Sequence, residues 1–150
     1  MNAPLDLTKQ SPRSPRERLC GYDIFGRTLD KCRALLFGNI GDYHFNCPLD
    51  QRLFEFLGVS ADDFKRQVET SATDEQMVIW SQQGGRGKTN EELEQWNASV
   101  EAIRPHEDPE RRAWFAEQCA PLQLDPAKTP LFEWLEADDC TIGAWTGSRK

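Results

Sequence analysis

The fold is decided by the stretch LGVSADDF at residues 57–64, where one helix ends and the next begins. Its glycine is a typical helix stop, because it adopts the left-handed conformation without steric cost. Ser60 and Asp63 stand three residues apart, as in a capping box, and Val59 and Phe64 take the positions of a hydrophobic staple. The stretch therefore predicts two short helices joined by a tight turn.

The same kind of start signal recurs along the chain. Two further Thr-x-x-Gln or Thr-x-x-Glu patterns predict helix starts, at Thr73 and Thr89. A capping residue or loop followed by proline predicts four more, at Ser14-Pro15, Cys47-Pro48, Asp108-Pro109 and Thr129-Pro130. One more helix is predicted over about residues 29–37, with a glycine as its stop.

These signals predict one all-α domain over residues 1–150. We expect a compact bundle of about seven short helices, since no stretch alternates β-branched residues over a strand's length. Residues 1–14 are rich in proline and are predicted to form an irregular, extended arm. Residues 138–150 are predicted to form a flexible tail, anchored only by Trp145.

Composition excludes several classes of protein. The net charge of −7 argues against a general nucleic-acid binder, because phosphates would repel the chain. Apolar runs are far shorter than the ~20 residues of a membrane span. The aromatic content, including five Trp, argues against disorder. The five cysteines form no CxxC pair and the N-terminus lacks a signal-peptide pattern, so we expect a cytoplasmic protein with free thiols and with no metal or cofactor.

Charge is unevenly distributed, with a net of +3 over residues 1–33 and −10 over the remainder. The basic segment either docks on the acidic body or forms a local anion site. Arg27, Asp30 and Lys31 stand at helical spacing i, i+3 and i+4. They form either an exposed charge cluster or an anion site in which Asp30 orients the two cations.

The segment after this helix carries a second candidate constellation. His44 and Cys47 are three residues apart, which suits a Cys–His nucleophile pair, although a loop motif does not fix its geometry. The structural alternative is a buried Cys47 beside a half-exposed His44. Asp50 and Arg52 are predicted as rim residues of a pocket shared with the upstream cations.

The loop GGRGKT at residues 84–89 has the ending of a phosphate-binding loop but not its beginning. Such a loop needs a glycine where this chain has Gln82, and it must follow a buried strand rather than a helix. We therefore predict a flexible connection between helices, with Thr89 capping the second of them.

The N-terminal two thirds also carry a family likeness. The residues concerned are DLTK at 6–9, SPR at 11–13, GRTLDK at 26–31, GDYH at 41–44, PLD at 48–50 and FLGV at 56–59. They resemble a family of short uncharacterised bacterial proteins known as a domain of unknown function. The resemblance covers roughly residues 5–105 and leaves the C-terminal third as an extension. It implies a bacterial, cytoplasmic, largely helical protein and directs attention to Arg27, Asp30, Lys31 and His44, without assigning an activity.

Two functional interpretations follow. The first is a non-enzymatic binding module that holds a small anionic ligand or a protein partner through residues 26–50, with Arg27, Asp30, Lys31 and Asp50 as the binding residues. The second is a small hydrolase-like enzyme that uses Cys47 with His44. Neither interpretation involves nucleic acid or a membrane.

Overall fold

A computed structural model describes residues 4–70 and 72–141 of the chain. Seven α-helices are present in this part, together with two short 3-10 turns, and it contains no β-strand. The helices are α1 (Phe25–Phe37), α2 (Pro48–Leu57), α3 (Ala61–Glu69), α4 (Asp74–Ser81), α5 (Asn90–Glu101), α6 (Arg112–Cys119) and α7 (Leu131–Asp139). The predicted all-α bundle of short helices is confirmed.

Local capping fixes several of these helices where the sequence predicts. The Ser60 hydroxyl accepts a hydrogen bond from the Asp63 backbone at 3.0 Å at the start of α3. Reciprocal capping boxes open α4 and α5, formed by Thr73 with Gln76 and by Thr89 with Glu92. Phe64 is fully buried, and Val59 packs against the same core. The helix-to-helix turn at residues 57–64 is therefore set by short-range contacts.

Three predicted boundaries are wrong. No helix forms after Ser14-Pro15, because the Ser14 hydroxyl donates to Glu136 and Cys20 adopts a left-handed backbone conformation, so this segment follows turns instead. Helix α1 begins at Phe25 rather than near residue 29. The sixth helix begins at Arg112, since Asp108 caps a turn at Glu110 and not a helix.

The predicted C-terminal tail also begins too early. Helix α7 continues through Asp139, and both Asp138 and Asp139 are buried. The remainder of the predicted tail from residue 142, including Trp145, lies outside the described residues.

Helix α1 is buried along most of its length. Its apolar face contributes Phe25, Leu29 and Cys32 to the main core, where Phe25 contacts the ring of Phe64. Its polar side is also covered, because ten consecutive residues from Phe25 to Ala34 are buried, four of them charged. Arg27, Asp30 and Lys31 therefore do not form an exposed cluster. Buried charges need partners, and these come from distant parts of the chain.

The N-terminal arm packs against this helix. Leu7 is 1 % exposed in a small second core with Ala34 and Tyr43, and its backbone N–H donates to Asn39 at 2.9 Å. Arg13 donates to both carboxylate oxygens of Asp30 and also pairs with Asp74 on α4. The basic N-terminal segment thus docks on acidic groups of the body, as the charge distribution allows.

The loop at residues 84–89 is a structural connection. The Arg86 guanidinium donates to the backbone carbonyls of Trp80 and Ser81 at the end of α4. The Lys88 ammonium lies 4.7 Å from the centre of the Phe56 ring. These contacts and the Thr89 cap account for the residues that mimic a phosphate-binding loop.

Within residues 4–70 and 72–141, we find no helix that is long and apolar enough to cross a membrane.

Candidate functional site

A cavity of about 350 Å³ lies between α1, the N-terminus of α2 and the two C-terminal helices. Its lining combines charged or polar side chains with apolar and aromatic ones. The lining residues are Arg27, Lys31, His44, Cys47, Pro48, Leu49, Arg111, Trp114, Leu131, Trp134 and Leu135. Its size is within the range of small-molecule sites, and its mixture of apolar walls with a few polar groups is typical of them.

Four of the six residues selected from the sequence meet at this cavity. Arg27 and Lys31 come from one face of α1, while His44 and Cys47 come from the loop before α2. The two selected acids, Asp30 and Asp50, are not part of the lining.

Arg27 is held by an acid that sequence reasoning assigned to the tail. Its guanidinium donates to both oxygens of Asp139, at 2.8 and 3.1 Å, and lies over the ring of Tyr43. The Tyr43 hydroxyl donates to the same carboxylate at 2.8 Å. Burial disfavours the charge of Arg27, but the Asp139 carboxylate outweighs it, and the pKa of Arg27 is raised above its ordinary value. The cation is therefore fixed in charge and orientation.

Lys31 is held in a comparable way by a second carboxylate, that of Asp50. Its side chain is 4 % exposed, and its ammonium lies 2.9 Å from an Asp50 oxygen and 3.4 Å from the Cys47 sulfur. Asp50 also accepts hydrogen bonds from the Thr28 hydroxyl and from the backbone N–H of Asn46. Asp50 is thus a buried organiser of the loop before α2, and the prediction that it lies on the rim is wrong.

Asp30 has a structural partner in the N-terminal arm. It accepts three hydrogen bonds from Arg13, one from the backbone and two from the guanidinium. Because it faces the N-terminal arm, it does not orient Arg27 or Lys31, whose carboxylate partners are Asp139 and Asp50.

His44 and Cys47 border the same cavity. His44 is exposed and Cys47 is half-buried. Among the described residues, no hydrogen bond joins their side chains, and the Cys47 sulfur accepts a hydrogen bond from the Lys31 ammonium. Cys47 is also the residue that caps α2, so the positive end of that helix lies beside its sulfur.

Arg111 and Trp114 were missed by sequence reasoning. The Arg111 guanidinium lies 4.7 Å from the centre of the Trp114 ring, and Trp114 packs edge-on against Trp134. No carboxylate within residues 4–70 and 72–141 pairs with Arg111, in contrast to Arg27 and Lys31. The spacing of three residues between the arginine and the tryptophan was the available signal.

The ion pairs of the lining residues determine the net charge of the cavity. Arg27 and Lys31 are each balanced by one carboxylate, whereas the Arg111 charge has no such partner in the described structure. The lining therefore carries a net positive charge beside an apolar wall, which suits a negatively charged group attached to an apolar body. No group of three or more His, Cys, Asp or Glu side chains able to hold a metal ion is found in the part of the chain that the structure describes.

A family profile matches residues 9–141, which is most of the chain. The chain belongs to the family described as Domain of unknown function (DUF5069). The match extends through α7, so the C-terminal third is part of the family domain and not an extension of it. The DUF5069 match therefore includes all of the cavity lining. No curated protein matches the chain.

Proposed function

We propose that the cavity binds a small organic anion that has a carboxylate and a flat apolar body. The observation that supports this most directly is the convergence of Arg27, Lys31 and Arg111 on one cavity that is also lined by aromatic and aliphatic side chains. Of the two binding partners considered from the sequence, a small ligand suits a concave site better than a protein surface does.

The donors left at the cavity support a carboxylate. A lysine ammonium has three donors, and Lys31 directs one to Asp50 and one to Cys47. Arg111 packs one face on Trp114 and has no carboxylate partner among the described residues. A ligand carboxylate would therefore meet pre-oriented cations, which lowers the entropic cost of binding.

The apolar wall supports a flat body on the ligand. Trp114 and Trp134 contact each other edge to face, with ring centres 5.7 Å apart, and aliphatic side chains of α2 and α7 flank them. Each ~25 Å² of apolar surface that a ligand buries there contributes about 0.6 kcal/mol.

We expect Arg111→Ala to weaken the binding of an aromatic carboxylate about tenfold. The variant removes the cavity's unbalanced cation, and a tenfold loss equals about 1.4 kcal/mol, within the range of charge-assisted hydrogen bonds. Isothermal titration calorimetry with biphenyl-4-carboxylate measures the change. Arg66→Ala is the matched control, because Arg66 is an exposed arginine on α3 outside the cavity.

Two results of these titrations would contradict the proposal. If wild-type protein binds no aromatic or aliphatic carboxylate, or if both arginine variants weaken binding equally, the cavity is not an anion site.

A thiol-dependent enzyme is the second candidate, and one observation favours it. The Lys31 ammonium lies 3.4 Å from the Cys47 sulfur, and a neighbouring cation is a common feature of reactive cysteines. His44 borders the same cavity and could exchange protons with a bound substrate. Such chemistry needs a reduced thiol, in keeping with a cytoplasmic location.

This candidate predicts faster labelling of Cys47 by iodoacetamide than of Cys20 or Cys140, although those two are more exposed. Burial raises the pKa of Cys32 to about 12, so it serves as an unreactive internal reference. Rates for each cysteine come from mass spectrometry of the digested protein. Labelling of Cys47 no faster than of the two exposed cysteines would rule out a specially reactive thiol.

A further inference from the structure

A second cavity of about 310 Å³ adjoins the first. The two share four lining residues, Pro48, Leu49, Arg111 and Leu131. Arg111 thus borders both spaces, and the aliphatic residues beside it form an apolar wall common to them. A ligand that fills the first cavity has a second space available beyond Arg111.

The second cavity has a different lining. Besides Arg111, it carries the cations Arg52 and Arg104 and the acids Glu107 and Asp108. Arg52 has no carboxylate partner among the described residues. Arg104 donates to the Lys128 carbonyl and makes no ion pair with a described acid. Asp108 accepts a hydrogen bond from the Glu110 backbone.

These contacts determine which group the second cavity favours. Arg52 and Arg104 match the two acids in number, and Arg111 is the unbalanced cation that also borders the first cavity, so the second cavity adds no excess charge of its own. A carboxylate is favoured there because neither arginine pairs with a described carboxylate, while Asp108 is engaged by the Glu110 backbone. With charge −1, it suits this balance better than a phosphate monoester, which carries ≈ −1.5 to −2 at neutral pH.

We propose that the ligand is an elongated dicarboxylate with a flat apolar centre. One carboxylate lies with Arg27, Lys31 and Arg111 in the first cavity, the apolar centre lies against Trp114 and Leu131, and the second carboxylate lies with Arg52 and Arg104. This inference rests on the proposed function of the first cavity and specifies the ligand class.

The test compares two ligands that differ by one carboxylate, biphenyl-4-carboxylate and biphenyl-4,4′-dicarboxylate. Calorimetry is carried out on wild-type protein, on Arg52→Ala/Arg104→Ala and on the control Arg66→Ala. Both mutated cavity arginines are exposed, so the double variant is expected to fold. Circular dichroism and the midpoint of thermal unfolding verify this.

We expect wild-type protein to bind the dicarboxylate roughly tenfold more tightly than the monocarboxylate, equivalent to about 1.4 kcal/mol. The double variant should lose this preference and keep the affinity for the monocarboxylate within about twofold. Equal affinities in wild-type protein, or a preference that survives the double substitution, would overturn the dicarboxylate while leaving the monoanion site intact. Failure of both ligands to bind would overturn the proposed function as well.

Discussion

Asp139→Ala is expected to destabilise the protein by about 3–5 kcal/mol, the usual cost of removing one partner from a buried ion pair. Asp139 accepts two hydrogen bonds from Arg27, whose side chain is 3 % exposed, and a third from Tyr43. The substitution leaves the Arg27 guanidinium buried away from water and without its counter-charge. A guanidinium cannot escape this cost by losing its proton. Urea denaturation followed by tryptophan fluorescence measures the loss.

A double variant separates the ion pair from simple packing. Arg27→Met/Asp139→Leu removes both charges and replaces them with apolar groups, so it should be clearly more stable than Asp139→Ala alone. If the single and double variants lose the same free energy of unfolding, the unpaired charge is not what destabilises the first. The double variant also removes one cation of the cavity and should weaken carboxylate binding.

The part of the fold that depends on short-range contacts was predictable from the sequence. The caps at Ser60, Thr73 and Thr89 act within three residues, so the helix starts they mark are found where expected. The Ser14-Pro15 signal is of the same type and failed. Its hydroxyl donates to Glu136, more than a hundred residues away, and that contact is not visible in the local sequence.

The burial of charge on α1 could not be predicted for the same reason. Helical spacing places Arg27 and Lys31 on one face, which is correct, but an exposed face and a buried one have the same pattern. Asp139, the partner of Arg27, is 112 residues downstream of it, and Arg13, which binds Asp30, is 17 residues upstream of that acid. Only the assembled bundle shows that each cation has its own carboxylate.

About half of the candidate site was predictable from the sequence. Residues 26–50 supply two of the three cations of the cavity, and four of the six selected residues line it. The aromatic side comes from α6 and α7, which the sequence offered only as core helices. Tryptophans that pack in a core and tryptophans that form a pocket wall have the same helical spacing, so Trp114 and Trp134 gave no separate signal.

A buried acid outside the cavity leads to the second large prediction. The side chain of Asp23, in the turn before α1, is fully buried, and one of its oxygens accepts from Arg18 at 3.1 Å. The other oxygen has no hydrogen-bond donor in the described structure. Arg18 also pairs with Glu94 and Glu101 on α5. Burial, together with the neighbouring Glu101 carboxyl, raises the pKa of Asp23 to about 7.

Protonation of Asp23 gives its second carboxyl oxygen a hydrogen-bond partner. An O–H on the second oxygen can donate to Glu101, and that hydrogen bond lowers the pKa of Glu101. Asp23 has a pKa of 3.8 when it is free in the unfolded chain, so the folded state binds a proton that the unfolded state has lost. Its contribution to stability is therefore complete below about pH 4 and is lost as the pH rises to about 7.

Between pH 5 and pH 8, the free energy of unfolding should fall by about 2–3 kcal/mol because Asp23 ionises, given 1.36 kcal/mol for each unit of pKa shift.

Asp23→Asn keeps an acceptor for Arg18 and places a permanent N–H donor where the acid carries its proton. The variant should therefore unfold with nearly the same free energy at both pH values and exceed wild-type stability at pH 8. Urea titrations at pH 5, 6, 7 and 8 measure both proteins, and the difference between the two curves isolates the contribution of Asp23. Parallel curves for the two proteins would show that Asp23 is already ionised at pH 5, with Arg18 compensating for its burial.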